Sequence, residues 1–444
     1  MKGMILVMAN VYFSKEDLFK DKESLGVNIP YSPDTSILSE PLKIKGKTIP
    51  NRLACQPMEG CDGTSDGRPD ELTLRRYDRF AKGGAGLIWY EATAVMKEAR
   101  ANPRQLYLTT DNISSFERQV YDIKNTCVKE NGYEPVIIMQ ATHSGRYSKP
   151  EGVPAPIIAY NNEVLEKDNP IDKSRIVTDE YLDSVKEALV NSSVLAKKAG
   201  FDGVDIKCCH RYLNSELLSA YQREGRYGGS LENRTRLLRE AVEGAIQSTG
   251  SDFIVTSRLN VYDGYIYPWG FGVDKSGSLE FDATEPIWLL KELNKLGVEL
   301  IDISMGNPYF NPHTNRPFAQ GPYEAPEHPL KGVERMLNGT KLLKENVPDM
   351  KFIASGITFL GTTAPNVCAG YIKENGFDMA GFGRTIFAYP DFAKDIVNNG
   401  CMEKAKCCIA CSKCTVLMRS GSTPGCVIKD KLYTDLFREV VLNK

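Results

Sequence analysis

Four cysteines near the end of the chain have a spacing that could hold a single metal centre. Cys408, Cys411, Cys414 and Cys426 follow the pattern C-x2-C-x2-C-x11-C. Short loops allow successive sulfur atoms to converge, and both iron–sulfur clusters and structural zinc sites use four such ligands. A cluster would transfer electrons, whereas zinc would only brace the segment. The spacing alone leaves both hypotheses open.

The bulk composition is that of an ordinary globular protein. The 444 residues are 42% apolar and 25% charged, with a net charge of −2, so we expect no nucleic-acid partner. The apolar run at the N-terminus is too short for a secretory signal, and no stretch of about 18 apolar residues predicts a membrane span. We therefore expect a cytoplasmic protein whose 12 cysteines are reduced or bound to metal.

The alternation of apolar β-rich runs with amphipathic helical stretches predicts the scaffold. Strands are predicted at 52–56, 86–91, 135–140, 203–207, 253–259, 300–304, 351–354 and 379–382. Helices are predicted at 70–82, 114–130, 179–199, 231–248, 285–296, 333–345 and 366–375. Eight β-then-α units indicate an α/β fold, a (β/α)8 TIM barrel. We expect the barrel over residues 38–395, between an N-terminal extension (1–37) and a cysteine-rich C-terminal segment (396–444).

Polar residues concentrate where the predicted strands end, and the active sites of such barrels lie at those ends. The residues whose side chains could take part in catalysis or bind a cofactor or substrate include Glu59, Gln140, Lys207, His210, Tyr212, Arg258 and Arg384. The loops after the seventh and eighth strands of a barrel often bind phosphate. Gly356 would let the backbone approach a phosphate, and Arg384 would supply positive charge.

These strand-end motifs together resemble the old yellow enzyme family of FMN oxidoreductases. The matching stretches are 51–52, 83–88, 140–146, 227–234 and 381–384. The cysteine segment resembles the branch that contains 2,4-dienoyl-CoA reductase and trimethylamine dehydrogenase, in which a [4Fe–4S] cluster follows the barrel. The usual spacing there is C-x2-C-x3-C-x11-C, and the middle gap here is one residue shorter. Cys407 could therefore replace Cys408 as the first ligand.

The resemblance implies an FMN site at the carboxyl ends of the strands. Gln140 would bond the pyrimidine edge of the flavin, and Arg258 would lie near N1 and O2, where reduction builds negative charge. The residues that would line the flavin are Pro57, Met58, Ala92, Gln140 and Arg258. Those that would hold the phosphate are Ser355, Gly356, Gly383 and Arg384.

The resemblance also implies a catalytic set after the fourth strand. Tyr212 matches the family tyrosine that protonates the substrate, and the alternative is a core tyrosine with a satisfied hydroxyl. Lys207 and His210 occupy the two positions whose side chains grip the substrate carbonyl. The alternatives are a structural histidine and a salt bridge from Lys207 to Glu59 or Glu91.

Three further residues are candidates for substrate binding. Arg211 replaces a glycine common in the family, and with Lys207 and His210 it predicts an electropositive mouth and an anionic group on the substrate. Its alternative is a side chain turned to solvent. Glu59 could tune the flavin or bind a cationic group. Trp269 could stack on a flat substrate or belong to a packed aromatic corner.

The resulting hypothesis is an ene-reductase that reduces a C=C bond conjugated to a carbonyl or carboxylate. The chain ends 18 residues after Cys426 and contains no G-x-G-x-x-G loop, so we expect electrons from a ferredoxin or flavoprotein subunit through the cluster. The alternatives are a dehydrogenase or demethylase of the trimethylamine dehydrogenase type and an electron-transfer subunit. The chain could also form a homo-oligomer.

Overall fold

The computed structural model describes residues 10–443 and contains a closed eight-stranded parallel barrel. A hairpin of β1 (Leu42–Ile44) and β2 (Lys47–Ile49) precedes it. The barrel strands are β3 (Leu53–Cys55), β4 (Leu87–Ala94), β5 (Val136–Thr142), β6 (Gly203–Ile206), β7 (Ile254–Tyr262), β8 (Leu300–Met305), β9 (Lys351–Ala354) and β10 (Met379–Phe382). Each pairs with the next, and β10 closes on β3. The predicted (β/α)8 barrel is confirmed.

Helices lie before, between and after the strands, and the long ones between strands cover the outside of the barrel. They are α1 (Lys15–Leu25), α2 (Glu71–Lys82), α3 (Ile113–Asn131), α4 (Asp179–Lys198), α5 (Leu213–Leu217), α6 (Leu231–Arg234), α7 (Arg236–Thr249), α8 (Thr284–Lys295), α9 (Pro312–Asn315), α10 (Pro329–Asn346), α11 (Ala364–Lys373), α12 (Thr385–Ala388), α13 (Phe392–Asn399), α14 (Lys413–Arg419) and α15 (Lys431–Phe437). Short 3₁₀ turns lie at Ser36–Ser39, Lys97–Ala99, Gly145–Tyr147, Lys173–Arg175 and Ile357–Thr363, and a π-helical turn lies at Arg438–Leu442.

The two helices whose bounds differ most from expectation have local explanations. The helix predicted over 231–248 is divided into α6 and α7 at Thr235, whose hydroxyl bonds the Leu231 carbonyl at 2.8 Å. Helix α10 begins four residues earlier than predicted, at Pro329. A proline suits the first turn because it lacks only an N–H that the helix leaves unused, and the His328 side chain caps the Leu330 N–H.

The interior of the barrel changes character along each strand. Alternate residues point inward, so β5 contributes Val136, Ile138 and then Gln140, while β7 contributes Ile254 and later Arg258. The apolar residues at the amino-terminal end of the barrel pack against the hairpin in one buried cluster. That cluster includes Leu42, Ile44, Ile49, Leu87, Val136, Ile138, Ile254, Leu300, Ile353 and Met379. The hairpin therefore closes this end with hydrocarbon, and the polar residues are left to the opposite end.

The C-terminal segment packs against the opposite end of the barrel. Asp430 accepts hydrogen bonds from Arg75 at 2.9 Å and Arg79 at 2.5 Å, both on α2. The Thr423 hydroxyl donates to the Gly60 carbonyl at 2.6 Å, in the loop after β3. These contacts hold the cysteine-bearing segment beside the strand ends. No helix among residues 10–443 is long and apolar enough to cross a membrane.

Candidate active site

A cavity of about 180 Å³ lies at the carboxyl ends of the barrel strands. It brings together side chains from strands far apart in sequence, because the carboxyl ends of parallel strands meet at one rim. The predicted residues that line it are Pro57, Met58, Glu59, Ala92, Gln140, Lys207, His210, Tyr212, Arg258, Ser355, Gly356, Gly383 and Arg384. Their roles remain predictions, but one cavity contains them all.

The sequence did not indicate a second group of lining residues. These are Gln56, Pro308, Tyr309, Asn315, Arg316, Thr358, Phe387, Thr415, Met418, Arg419 and Pro424. Most lie in the loop after β8 or in the C-terminal segment, which have no periodic signal. Gln56 is an exception, because it shares the inward register of Ala54 and Met58 and could have been found from that alternation.

A buried carboxylate orients the polar groups on one wall of the cavity. Asp205 Oδ2 accepts hydrogen bonds from Gln140 Nε2 at 2.6 Å and from Trp89 Nε1 at 2.9 Å, and Oδ1 accepts from the Arg258 N–H at 2.7 Å. Burial raises the pKa of Asp205 to about 6. Because its amide nitrogen is engaged, Gln140 has its Oε1 left to accept a hydrogen bond from a ligand.

A second buried carboxylate, Asp302, forms an ion pair with the Arg258 side chain. Its Oδ2 lies 3.2 Å from Arg258 Nε, and its Oδ1 accepts a hydrogen bond from Gln56 Nε2 at 3.0 Å. Burial raises the pKa of Asp302 to about 6. Asp205 and Asp302 were missed from the sequence, although an acidic residue at an inward strand position was a usable signal.

The opposite side of the cavity is rich in arginine. Arg384 is 5% exposed, and its Nη2 donates to the Pro317 carbonyl at 2.6 Å. Burial, and then the charge of Arg384, lowers the pKa of Arg316 to about 10. Gly356 has φ 78°, a left-handed conformation that glycine adopts without strain. The Ser355 hydroxyl donates to the Ile303 carbonyl at 2.7 Å, which leaves its backbone N–H as the group for a phosphate.

These residues fit an FMN molecule. Four buried polar atoms of the lining residues have no hydrogen-bond partner among residues 10–443: Arg258 Nε, which only faces Asp302, and Gln56 Oε1, His210 Nε2 and Arg384 Nη1. Buried polar groups are nearly always paired, so atoms such as these call for a ligand. The charged lining residues are the cations Lys207, Arg258, Arg316, Arg384 and Arg419 and the single carboxylate Glu59. This excess of positive charge suits a phosphate at one end and an anionic ring at the other.

The catalytic candidates lie together at one edge of the cavity. Tyr212 is 3% exposed, and its phenol oxygen lies 2.9 Å from that of Tyr309. Burial raises the pKa of Tyr212 well above its usual range, so the phenol is protonated at neutral pH. Lys207 Nζ lies 3.9 Å from the centroid of the Tyr212 ring. Burial, followed by the charges of Arg258 and Lys207, lowers the pKa of His210, which is therefore neutral.

The backbone conformation after β6 explains why a glycine is expected at position 211. His210 and Arg211 have φ 65° and 59°, so both lie in the left-handed region that non-glycine residues rarely occupy. The Arg211 N–H donates to Ser215 Oγ at 3.1 Å, which helps to hold the turn. This turn directs His210 and Tyr212 into the cavity. Such strain persists only where surrounding contacts enforce it.

The prediction that Arg211 binds substrate is corrected by its contacts. The side chain is 0% exposed and forms an ion pair with Asp263 at 3.0 Å. It also donates to the Tyr160 phenol oxygen at 3.0 Å and to Ser219. Both expectations, a residue at the mouth and a residue turned to solvent, are wrong, because Asp263 neutralises Arg211 inside the protein. The sequence showed no link between two residues 52 positions apart.

Trp269 is also placed away from the cavity. Its ring stacks on Tyr160 with a centroid distance of 6.4 Å and an interplanar angle of 15°. Its carbonyl accepts a hydrogen bond from Asn162 Nδ2 at 3.1 Å. This arrangement matches the alternative of a packed aromatic corner, and it corrects the predicted stacking on substrate.

Glu59 and Glu91 have different environments. Glu59 is partly buried, and its carboxyl accepts a hydrogen bond from Asn102 Nδ2 at 2.8 Å. Desolvation raises the pKa of Glu59, although Lys207 acts against this. Glu91 forms an ion pair with Arg76 at 2.5 Å. Glu91 is therefore not the salt-bridge partner considered for Lys207.

A second, larger cavity of about 620 Å³ adjoins the first. The two share Glu59, Tyr309, Met418 and Arg419 as lining residues. The remaining walls come from Cys61 and from residues within the stretches 101–104, 146–154 and 421–422. The catalytic edge of the first cavity is thus adjacent to a space that includes the exposed side chains of Lys149 and Arg419.

The predicted cysteine ligands lie near one another beside the flavin cavity. Burial raises the pKa of the Cys408 thiol to about 12, and the nearby thiols of Cys414 and Cys426 act in the same direction. Backbone N–H groups donate to Cys408 Sγ from Ala410 at 3.4 Å and to Cys426 Sγ from Lys429 at 3.3 Å. Cys414 also lines the cavity.

Cys407 points elsewhere, since its Sγ donates to the Glu403 carbonyl at 3.4 Å. The contacts thus favour Cys408 over Cys407 as the first ligand. The donor atoms suit a metal centre, but no three or more His, Cys, Asp or Glu side chains within residues 10–443 are arranged to hold a metal ion. The iron–sulfur cluster remains a prediction.

Comparison with known proteins gives the family. A sequence profile of the NADH:flavin oxidoreductase / NADH oxidase family matches residues 37–401. The chain belongs to this family. An NADPH dehydrogenase from Halalkalibacterium halodurans is 31% identical over 59% of this chain and 71% of its own length. Another from Bacillus pumilus is 33% identical over 61% of this chain and 73% of its own length. The protein is accordingly an FMN-dependent oxidoreductase.

Solved structures show the same fold. A complex of 2-naphthoyl-CoA reductase with 2-naphthoyl-CoA has a TM-score of 0.71 at 19% identity and covers 90% of this chain. Histamine dehydrogenase from Rhizobium sp. 4-9 has a TM-score of 0.66 at 19% identity and also covers 90%. The present chain spans 58% and 53% of those two chains, respectively.

Proposed function

We propose that this flavoenzyme reduces a carbon–carbon double bond conjugated to a carbonyl or carboxylate. The observation that carries the proposal is the buried, protonated phenol of Tyr212. It lies beside Lys207 and the neutral imidazole of His210, in the cavity that fits FMN. An alkene reductase needs a proton donor and a group that polarises the conjugated carbonyl, and these three side chains supply both.

Each residue has a distinct task in this reaction. Bound FMN would supply hydride to the β carbon of the alkene. Lys207 and His210 bind the carbonyl oxygen and stabilise the negative charge that develops there, since His210 Nε2 has no partner among the described residues. The Tyr212 hydroxyl then gives its proton to the α carbon. Arg258, anchored by Asp302 at 3.2 Å, lies where it would offset negative charge on the pyrimidine ring.

The proposal includes an anionic group on the substrate. Because Arg211 is buried against Asp263, other cations would have to bind that group. The cations on the cavity wall outnumber its one carboxylate, Glu59, even though Arg211 does not contribute. We expect a carboxylated enone to have a lower KM than its neutral analogue, with similar kcat. Equal KM values for the two compounds would contradict an anion-binding role.

The decisive experiment measures two half-reactions of Tyr212→Phe under anaerobic conditions. The variant should accept electrons into the flavin at the wild-type rate but reduce an activated alkene about 10²–10⁴-fold more slowly. Flavin content serves as the control for folding. Wild-type protein that reduces no activated alkene would refute the proposed reaction, whereas an unimpaired Tyr212→Phe would refute only the role of Tyr212.

A [4Fe–4S] cluster held by Cys408, Cys411, Cys414 and Cys426 is a further part of the proposal. It is supported by the N–H···S bonds to Cys408 and Cys426 and by the position of Cys414 at the flavin cavity. A cluster there would supply one-electron transfer. Cys408→Ala should lose bound iron and sulfide, and the matched variant Cys407→Ala should retain both. Zinc without sulfide in the wild type would support a structural clip instead.

The proposed electron donor is a ferredoxin or flavoprotein partner. A metal centre beside the flavin cavity would suit such a donor, whereas the relatives named NADPH dehydrogenase point to direct reduction. Stopped-flow mixing with NADPH, NADH and reduced ferredoxin distinguishes the two routes. Flavin reduction by NADPH at least as fast as turnover would exclude the need for a partner.

One observation favours a second candidate, an amine dehydrogenase. Tyr147, Tyr212 and Tyr309 lie close together, with ring centroids 3.9–6.3 Å apart, beside the carboxyl of Glu59. Aromatic rings with a nearby carboxylate can bind a cationic amine. However, Lys207 Nζ already lies 3.9 Å from the centroid of the Tyr212 ring, where a cationic amine would have to bind. Perturbation of the flavin spectrum by a cationic amine, but not by an enone acid, would favour the dehydrogenase.

A further inference from the structure

The catalytic phenol is buried, but its hydrogen-bond partner is not. Tyr212 is 3% exposed and lines only the first cavity. Its phenol oxygen lies 2.9 Å from that of Tyr309. Tyr309 is 38% exposed and lines both cavities. The hydroxyl pair therefore connects the buried proton donor to the larger cavity.

We propose that Tyr309 returns the proton that Tyr212 loses in each turnover. The inference rests on the proposed alkene reduction. When the Tyr212 O–H bond breaks and its proton forms the new C–H bond at the α carbon, a phenolate remains. The Tyr309 hydroxyl donates its proton to that phenolate, and water in the larger cavity reprotonates Tyr309. The hydride and this proton together account for the two hydrogens gained by the alkene. Tyr309 is thus a positioning and relay residue, because it acts through Tyr212.

The surroundings of Tyr309 hold its hydroxyl in place for this transfer. Its backbone N–H donates to Asn307 Oδ1 at 2.9 Å, and its ring stacks on Tyr147 with a centroid distance of 3.9 Å. Asn307 Nδ2 in turn donates to the Tyr147 phenol oxygen at 2.8 Å. These contacts fix the ring without engaging its hydroxyl, which leaves that hydroxyl for Tyr212.

Glu59 is a nearby carboxyl but does not provide the same route. It acts on Tyr212 and Tyr309 electrostatically, and its hydrogen bonds go to Asn102 and Cys61. No hydrogen bond joins Glu59 to Tyr212 among residues 10–443. The geometry therefore assigns the relay to Tyr309.

The test compares a first turnover with repeated turnovers. Prereduced enzyme is mixed anaerobically with an activated alkene, and steady-state turnover is measured separately in H2O and D2O. In Tyr309→Phe the first turnover should stay within about twofold of wild type, because Tyr212 starts protonated. Steady-state turnover should fall about tenfold and show a larger solvent isotope effect, because reprotonation becomes slow. In Tyr212→Phe the first turnover is already slow.

A matched control exists in the same loop. Tyr323 is also 38% exposed, and its hydroxyl bonds His313 Nδ1 at 2.6 Å instead of a catalytic group. Tyr323→Phe should leave both measurements unchanged. Equal steady-state rates and isotope effects in Tyr309→Phe and wild type would overturn the relay. Wild-type enzyme that reduces no activated alkene would instead refute the proposed function.

A readout independent of turnover completes the test. With tyrosine labelled by ¹³C at Cζ, the Tyr212 resonance is identified by its loss in Tyr212→Phe. This resonance should shift in Tyr309→Phe, because the hydroxyl pair is broken, and not in Tyr323→Phe. An unshifted Tyr212 resonance in Tyr309→Phe would show that the two hydroxyls are not bonded, and it would overturn the proposal.

Discussion

The two ends of the barrel interior are opposite in chemistry although the same strands build both. At the amino-terminal end, Ile44 and Ile49 of the hairpin pack on inward residues such as Val136 and Leu300 in a buried apolar cluster. At the carboxyl end, the inward residues include Gln140, Arg258 and Asp302, and four polar atoms of the lining residues have no hydrogen-bond partner among residues 10–443. The apolar side chains of the first end satisfy one another by packing, whereas the polar atoms of the second end need a ligand to complete their hydrogen bonds.

This difference separates stability from function along each strand. Burial of apolar surface at the hairpin end favours folding. Burial at the other end is unfavourable for ionised carboxyls, since it raises the pKa of Asp205 and of Asp302 to about 6. We infer that changes at the hairpin end should alter the free energy of unfolding, and changes at the cavity end should alter ligand binding.

The largest expected effect is on stability, from Ile44→Ala at the hairpin end. Ile44 is buried in the apolar cluster, so its truncation should lower the free energy of unfolding by about 2–5 kcal/mol. Denaturant unfolding of the apoprotein measures this. Thr48→Ala, an exposed position in the same hairpin, is the control and should change stability by less than about 0.5 kcal/mol. If folded Ile44→Ala lost as much free energy of FMN binding as of folding, the proposed difference between the two ends of the barrel would be wrong.

The next effect is on flavin binding, from Arg384→Ala at the cavity end. The variant loses a charged hydrogen-bond donor for the phosphate, so FMN affinity should fall by about 1.5–3 kcal/mol, or about 10–150-fold. Fluorescence titration of the apoprotein with FMN measures the dissociation constant. The apoprotein should lose less stability than this, because Arg384 Nη1 has no partner among the described residues and only the hydrogen bond from Nη2 to the Pro317 carbonyl is lost, which contributes about 1 kcal/mol. Arg118→Ala, on the exposed face of α3, is the control.

A smaller effect concerns the pH dependence of stability, from Asp302→Asn. The carboxyl has a pKa of about 6 in the folded protein and 3.8 when unperturbed. As pH rises from 4 to 6, the unfolded chain releases this proton first, so the wild-type apoprotein loses up to about 1.4 kcal/mol of stability per pH unit. Asp302→Asn removes this contribution, and its stability relative to wild type should rise over the same range.

Denaturant unfolding at several pH values measures that difference. Asp122→Asn, at an exposed position of α3, should leave the slope unchanged. Parallel pH profiles of stability for wild type and Asp302→Asn would mean that the Asp302 carboxyl stays ionised in the folded protein over this pH range. Burial of that ionised carboxyl would then cost less free energy than we infer.

The smallest effect is expected from Trp269→Phe, which defines the edge of the site. Trp269 stacks on Tyr160 and does not line either cavity. Phenylalanine keeps an aromatic contact, so FMN affinity and KM should stay within about twofold, with a stability loss of about 1 kcal/mol or less. A large rise in KM with unchanged stability would restore a substrate-binding role for Trp269.

The strands were predictable because their signal is local. The observed bounds differ from the expected ones by three residues at most, as at Leu87–Ala94. Short runs of apolar residues at regular intervals have few alternatives to a parallel barrel. The same regularity placed Gln140, His210 and Arg384 at strand ends, and all three line the cavity.

The errors came from residues whose partners are distant in sequence. Arg211 was expected at a cavity mouth, but Asp263 pairs with it inside the protein. Tyr309 was not considered, because the loop after β8 has no periodic pattern and its place between two cavities depends on Tyr147 and Tyr212. Contacts of this kind depend on how loops fold over the strand ends.

The sequence by itself determined the barrel, the end of the barrel that carries the polar cavity, and the family. These follow from periodicity and strand-end residues, which are encoded in consecutive positions. Only the tertiary structure decided which cations line the cavity, which cysteine of the 407–408 pair faces the other thiols, and which hydroxyl contacts Tyr212. The physical reason is that charge pairing and hydrogen bonding act over a few ångströms in space, without regard to separation along the chain.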